Sequence, residues 1–167
     1  MASIYSSTVN GWQLRLDYTY TQSVTNNQST VSLSLYVYNN YSAYNNYSNT
    51  AYYTITGTKT YATFSYSSAK EWHLLGTKTQ TVNHNADGTG SVSLSANWYS
   101  GISNSSYTPA SLTISAQTIT LTTIARASSL TITNPTASTN YIGTALAMTI
   151  TPQANTFSHK LYYKMSG

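Results

Sequence analysis

Acidic residues are nearly missing from this chain: of 167 residues, Asp and Glu together supply three, at Asp17, Glu71 and Asp87. That scarcity argues against chemistry that needs carboxylates in concert. A glycosidase flanks one bond with two carboxylates, and a nucleophile triad orients its histidine with an acid. The expectation is a protein that is not an enzyme, with no catalytic residue, no metal site and no cofactor. Cysteine is absent, so neither disulfides nor thiol chemistry hold the fold together. Charged residues make up 6% of the chain, against roughly 25% in an ordinary soluble protein. No apolar run approaches the length of a membrane span, and the first residues lack the basic and apolar regions of a secretory leader. Glycosylation sequons at Asn27, Asn40, Asn46 and Asn104 are read as chance in a chain so rich in Asn and Ser.

The charge that exists is mildly basic, at +4. Arg15, Lys59, Lys70, Lys78, Arg126, Lys160 and Lys164 are scattered, with no run or stripe. Nucleic acid calls for a clustered basic footprint, so it is not an expected partner. A positive balance does favour approach to anionic polymers such as teichoic acids.

Present in quantity are tyrosine, 17 copies of it, and Ser, Thr and Asn. Such a surface is polar without being ionic. It suits sugar ligands or close protein assembly, because a phenol joins an apolar ring to a polar tip. Most of these tyrosines are explained more simply, since Tyr and Thr are good strand formers.

The pattern is that of strands throughout. Trp12, Leu14, Leu16, Tyr18 and Tyr20 alternate with polar neighbours, and so do Val31, Leu33, Leu35 and Val37. Residues 51–56 and 61–66 read as a hairpin turning at Gly57-Thr58-Lys59. A frame change between Leu74 and Leu75 implies a bulge, and a second change near Gln117 implies a bulge or a crossing between sheets. The clearest stretch is 76–98, read as a central hairpin. One limb is β-branched; the other puts Val92, Leu94, Ala96 and Trp98 on one face. Between them Asn83-His84-Asn85-Ala86-Asp87-Gly88 supplies turn residues. With no sustained helical period, the fold class is all-β, an antiparallel two-sheet β-sandwich of jelly-roll type. It is expected to occupy residues 1–124, with a linker at 125–128. Residues 129–167 read as a partial, Ig-like β segment of three strands, at 130–132, 145–151 and 159–165.

Few residues invite chemistry. His84 and Asp87 read as turn makers, the Asx side chains accepting backbone N–H bonds. His73 reads as a strand residue, and His159 stands alone. Residues 39–49 repeat Asn-Asn-Tyr-Ser and read as an exposed loop at one end of the sandwich, either a linker or a ligand-contact loop. The carbohydrate-binding candidates are therefore Tyr41, Tyr44 and Tyr47 there, and Tyr99 and Tyr107 around the later loop at 100–109. Trp12, Trp72 and Trp98 follow strand alternation and are assigned to the core, with Trp98 ambiguous at its strand end.

The run Val82-Asn83-His84-Asn85-Ala86-Asp87-Gly88-Thr89, followed by a Ser-Val-Ser-Leu-Ser-Ala strand, resembles a known family, as does Leu121-Thr122-Thr123-Ile124-Ala125-Arg126-Ala127-Ser128. Both are similar to tail-tip, tail-fibre and minor structural proteins of siphophages infecting Gram-positive bacteria. Ala125 stands where that family often has proline, which leaves the linker less restricted. The resemblance spans residues 1–128 and transfers no binding site. It implies a non-enzymatic tail or baseplate component located in the virion and extracellular when acting. Its expected partners are other virion tail proteins, further copies in a homo-oligomer and host cell-wall polysaccharide, with no nucleic acid and no membrane. The alternative is a bacterial surface or secreted adhesin-type carbohydrate-binding sandwich.

Overall fold

A computed structural model of the chain describes residues 1–45, 50–103, 105–126, 131–133 and 149–151. All regular elements among them are strands. Chain order gives β1 (Ala2–Tyr5), β2 (Gln13–Ser23), β3 (Gln28–Asn39), β4 (Ala43–Asn45), β5 (Tyr52–Ile55) and β6 (Thr58–Tyr61). There follow β7 (Phe64–Tyr66), β8 (Glu71–Asn83), β9 (Gly90–Tyr99), β10 (Ser111–Leu121), β11 (Thr131–Thr133) and β12 (Thr149–Thr151). Two antiparallel four-stranded sheets form the sandwich, in the orders β1-β2-β3-β8 and β10-β9-β5-β6. A short β4–β7 ribbon lies beside them, and β11 pairs with β12.

Alternation puts the apolar residues between the sheets. Leu14, Leu16, Val31, Leu33, Leu35 and Val37 are buried from the first sheet, and Ile55, Leu94, Ala96, Trp98, Leu112 and Ile114 from the second. Trp12 and Trp98 stack across the gap, centroids 5.5 Å apart and planes at 13°. The Trp12 indole N–H donates to the Tyr107 carbonyl at 2.7 Å, so the core ties down the β9–β10 loop as well.

Both anticipated frame changes are bulges. Leu35 pairs with Gly76 and Tyr36 with Leu74, leaving Leu75 as the extra residue on β8. On β10, Ile114 pairs with Ala96 and Gln117 with Leu94, so Ser115 and Ala116 bulge opposite Ser95.

Four expectations are corrected. The hairpin expected between 51–56 and 61–66 instead turns at Thr56-Gly57 and pairs Tyr52–Ile55 with Thr58–Tyr61, so Thr58 and Lys59 belong to a strand, while Phe64–Tyr66 pairs with β4. Strands β8 and β9 do not form a hairpin, because each belongs to a different sheet. The loop between them must cross about 10 Å from sheet to sheet, which a two-residue turn cannot do. His84 fills that arch, buried, with its ring N–H and N groups facing the Gly88 carbonyl and the Ser29 hydroxyl, each at 2.7 Å. Trp72 is half-buried on the outer face of the first sheet rather than in the core, because β8 pairs it with the outward Tyr38. Residues 39–45 are not simply an exposed loop: Asn39 and Ala43 are buried and Ala43–Asn45 is paired to β7. Strand β1 had no clear sequence signal, being only four residues long.

In the tail, Thr131–Thr133 and Thr149–Thr151 pair antiparallel at two of the three expected strand positions, and 159–165 lies outside the described residues. Residues 122–126 run back along the sandwich. The Ile124 N–H donates to the Gly88 carbonyl and Arg126 to the Val24 carbonyl, both at 2.9 Å.

Candidate ligand-binding face

The β5–β6 hairpin sets up the outer face of the second sheet. Its turn is two residues, Thr56-Gly57, both with positive φ (44° and 78°), as in the turn whose twist suits a hairpin. Glycine takes that conformation freely; threonine, β-branched, is strained there. Lys78, reaching from β8, holds the turn from the core side, with its ammonium donating to the carbonyls of Ile55 (3.2 Å) and Thr56 (2.8 Å). The Thr56 hydroxyl is buried without a hydrogen-bond partner.

This tight turn fixes a register with a consequence for the exposed side. Tyr61 opposes Tyr52, Tyr52 opposes Tyr99 and Tyr99 opposes Ser111, so one row crosses all four strands. Two residues along, Lys59, Thr54, Asn97 and Thr113 form a parallel row. At the usual strand spacing each row spans roughly 14 Å. Ring centroids separate by 6.0 Å for Tyr52–Tyr61 and 5.3 Å for Tyr52–Tyr99. Tyr52 and the second row line an open groove of about 540 Å³, whose far wall includes the bulged Ser115 and Ala116. Lys59 Nζ lies 3.7 Å from the Tyr52 ring centre and 4.9 Å from that of Tyr61. Its charge is held by ring quadrupoles. The Asn97 amide donates to the Leu112 carbonyl at 3.1 Å and the Thr113 hydroxyl at 2.9 Å, which fixes its orientation.

Of the five tyrosines named from sequence, Tyr99 belongs to this face. Tyr41 and Tyr107, both exposed, meet instead at the end of the sandwich, edge to face at 5.3 Å. Tyr44 lies in β4 with its backbone opposite Ser65, and Tyr47 lies outside the described residues. Buried Asn39 organises that end. Its amide donates to the carbonyls of Ser68 (2.6 Å) and Tyr41 (3.3 Å), and its oxygen faces the His73 ring nitrogen at 2.9 Å. His73 in turn stacks on Tyr66 at 4.0 Å, whose phenol burial pushes to a raised pKa. Sequence reasoning missed Tyr52, Tyr61 and Lys59. A two-residue turn ending in Gly57 was the available signal, since it sets Tyr52 opposite Tyr61.

The three acids are dispersed. Asp17 lies on the first sheet's outer face, 2.9 Å from Arg15 Nε, and accepts from the Ser3 hydroxyl at 2.7 Å. The Arg15 N–H points off that line, so the pair is a charge contact rather than an aligned hydrogen bond. Arg15 is clamped 4.6 Å from both Tyr36 and Trp72. Asp87 caps the arch loop: it accepts from the Thr89 hydroxyl and N–H, which lowers its pKa. Glu71 begins β8. Among the described residues no three of His, Cys, Asp and Glu come together as metal ligands.

Fold and face together define a β-sandwich module with a rigid core and an aromatic, hydrogen-bonding groove on one sheet. The chain belongs to the family described as siphovirus protein of unknown function (DUF859), whose match covers residues 1–167. It is thus a siphophage protein. Neither the curated proteins nor the solved structures contain a match to it.

Proposed function

We propose that this chain is a non-enzymatic structural module of the phage tail or baseplate that binds host cell-wall carbohydrate through the outer face of its second sheet. The observation that carries this reading is the Tyr61–Tyr52–Tyr99 row, set across adjacent strands, whose middle ring Tyr52 edges a groove that also holds hydroxyl and amide side chains. Sugars offer alternating apolar C–H faces and hydroxyl edges. Aromatic rings beside Thr54, Asn97 and Thr113 answer both. A face built on paired strands is also largely preformed, which lowers the ordering cost of binding. Membership in a siphovirus family favours a virion role over the bacterial adhesin alternative. Partners on this reading are neighbouring tail proteins and further copies of the chain.

Purified chain is expected to co-sediment with host cell walls, and Tyr52→Ala or Tyr99→Ala to reduce this at least tenfold with folding retained. Wall binding unchanged by both substitutions would overturn the carbohydrate reading. Antibody labelling of virions is expected at the tail; labelling confined to the capsid would overturn the tail assignment.

A further inference from the structure

Among the described residues, Lys59 is the one charged side chain that lines the groove, and its environment is peculiar. It sits against two tyrosine rings, and no carboxylate accompanies it among the described residues. All three acids of the chain lie elsewhere: Asp17 on the opposite sheet's outer face, Glu71 at the start of β8 and Asp87 in the arch loop. A cation–π contact positions an ammonium without cancelling its charge, whereas a salt bridge does both. The groove therefore carries a fixed, uncompensated positive charge at one end of a row whose other members are Thr54, Asn97 and Thr113.

The backbone beneath is held for this. The Thr56-Gly57 turn keeps its strained conformation because the Lys78 ammonium clamps the carbonyls behind it. Strain of this kind persists only where surrounding contacts over-determine it. Lys59 follows the turn by two residues, and its strand position opposite Thr54 is fixed with it.

From this arrangement we infer that the ligand of the face is an anionic glycan, a sugar chain carrying phosphodiester or carboxylate groups. The anion sits on Lys59, and the adjoining sugar lies along Thr54, Asn97 and Thr113. The inference rests on the carbohydrate reading above and adds the charge class of the ligand.

The test uses wall polysaccharide from the host in three forms: native, stripped of phosphodiesters with hydrofluoric acid, and reduced at its carboxylates. Wild-type chain is expected to bind the native polymer at least tenfold more tightly than one of the two treated forms, which identifies the anion. Lys59→Gln should reproduce that loss on native polymer and cause no further loss on the treated one. Lys59→Arg should retain affinity, and added salt should weaken wild type more than Lys59→Gln. Equal binding of all three polymers, still abolished by Tyr52→Ala, would leave the carbohydrate site standing and overturn the anionic assignment. A salt-sensitive preference for native polymer that Lys59→Gln leaves intact would also overturn it. Failure to bind native polymer at all would overturn both.

Discussion

The two outer faces of the sandwich use the same device to opposite ends. On each, one cation rests against two aromatic rings: Arg15 between Tyr36 and Trp72, Lys59 beside Tyr52 and Tyr61. Arg15 also has Asp17 within 2.9 Å, while Lys59 has no such neighbour among the described residues. The first face is therefore electrostatically closed and reads as structure, a brace of stacked side chains across β1, β2, β3 and β8. The second is open. What separates a brace from the proposed binding site is one carboxylate, in a chain that has only three.

Several substitutions would break or sharpen that contrast. The largest effect belongs to the core that both faces share. Trp98→Ala removes the stack with Trp12 and is expected to cost about 3–5 kcal/mol in chemical denaturation. Both faces should fail together, and selective loss of one would mean they are not built on a common core. Next come the aromatic partners. Trp72→Ala is expected to lower stability by about 1–2 kcal/mol while wall binding stays within twofold. Tyr52→Ala should do the reverse, losing tenfold or more in binding with a change in Tm of a few degrees. Asp17→Asn is a milder probe: it leaves Arg15 uncompensated and exchanges the charged acceptor of the Ser3 hydroxyl for a neutral one, for an expected loss of about 1 kcal/mol. It should not create wall binding on the first face, because Tyr36 and Trp72 still cover the guanidinium.

The smallest effect concerns pH and separates a buried tyrosine from the exposed row. Tyr66 has a raised pKa in the folded chain, because burial disfavours its phenolate. Its contribution to stability is thus fully present below the unfolded value of about 10 and is lost as pH climbs above that. Tyr66→Phe is expected to flatten the alkaline fall in stability measured above about pH 10. An unchanged slope would show that Tyr66 does not supply it.

Much of this was legible in the residues. Alternation at Val31–Val37 and Val92–Trp98 reported which face is buried, since that is a local property of a strand. The bulges at Leu75 and near Gln117 were legible for the same reason: an extra residue shifts the phase of the pattern. Pairing was less accessible. The Asn83–Gly90 loop has hairpin composition, yet it crosses between sheets. Turn residues satisfy backbone groups in either setting, and His84 finds its partners at Ser29, far off in sequence. The proposed binding face was half hidden for a related reason. Tyr99 was named as a candidate beside the 100–109 loop, but its row depends on strand order, and β5 sits between β9 and β6 through long-range pairing. Trp72 was misassigned because alternation tells two faces apart without saying which is inside at a strand end.

The contrast between the faces is tested most directly by comparing Lys59→Gln with Arg15→Gln in equilibrium binding to native wall polysaccharide, with the stability of each variant measured alongside. The account predicts at least a tenfold loss of binding for Lys59→Gln at unchanged stability. For Arg15→Gln it predicts binding within twofold and reduced stability. Equal binding losses, or a loss confined to Arg15→Gln, would contradict it.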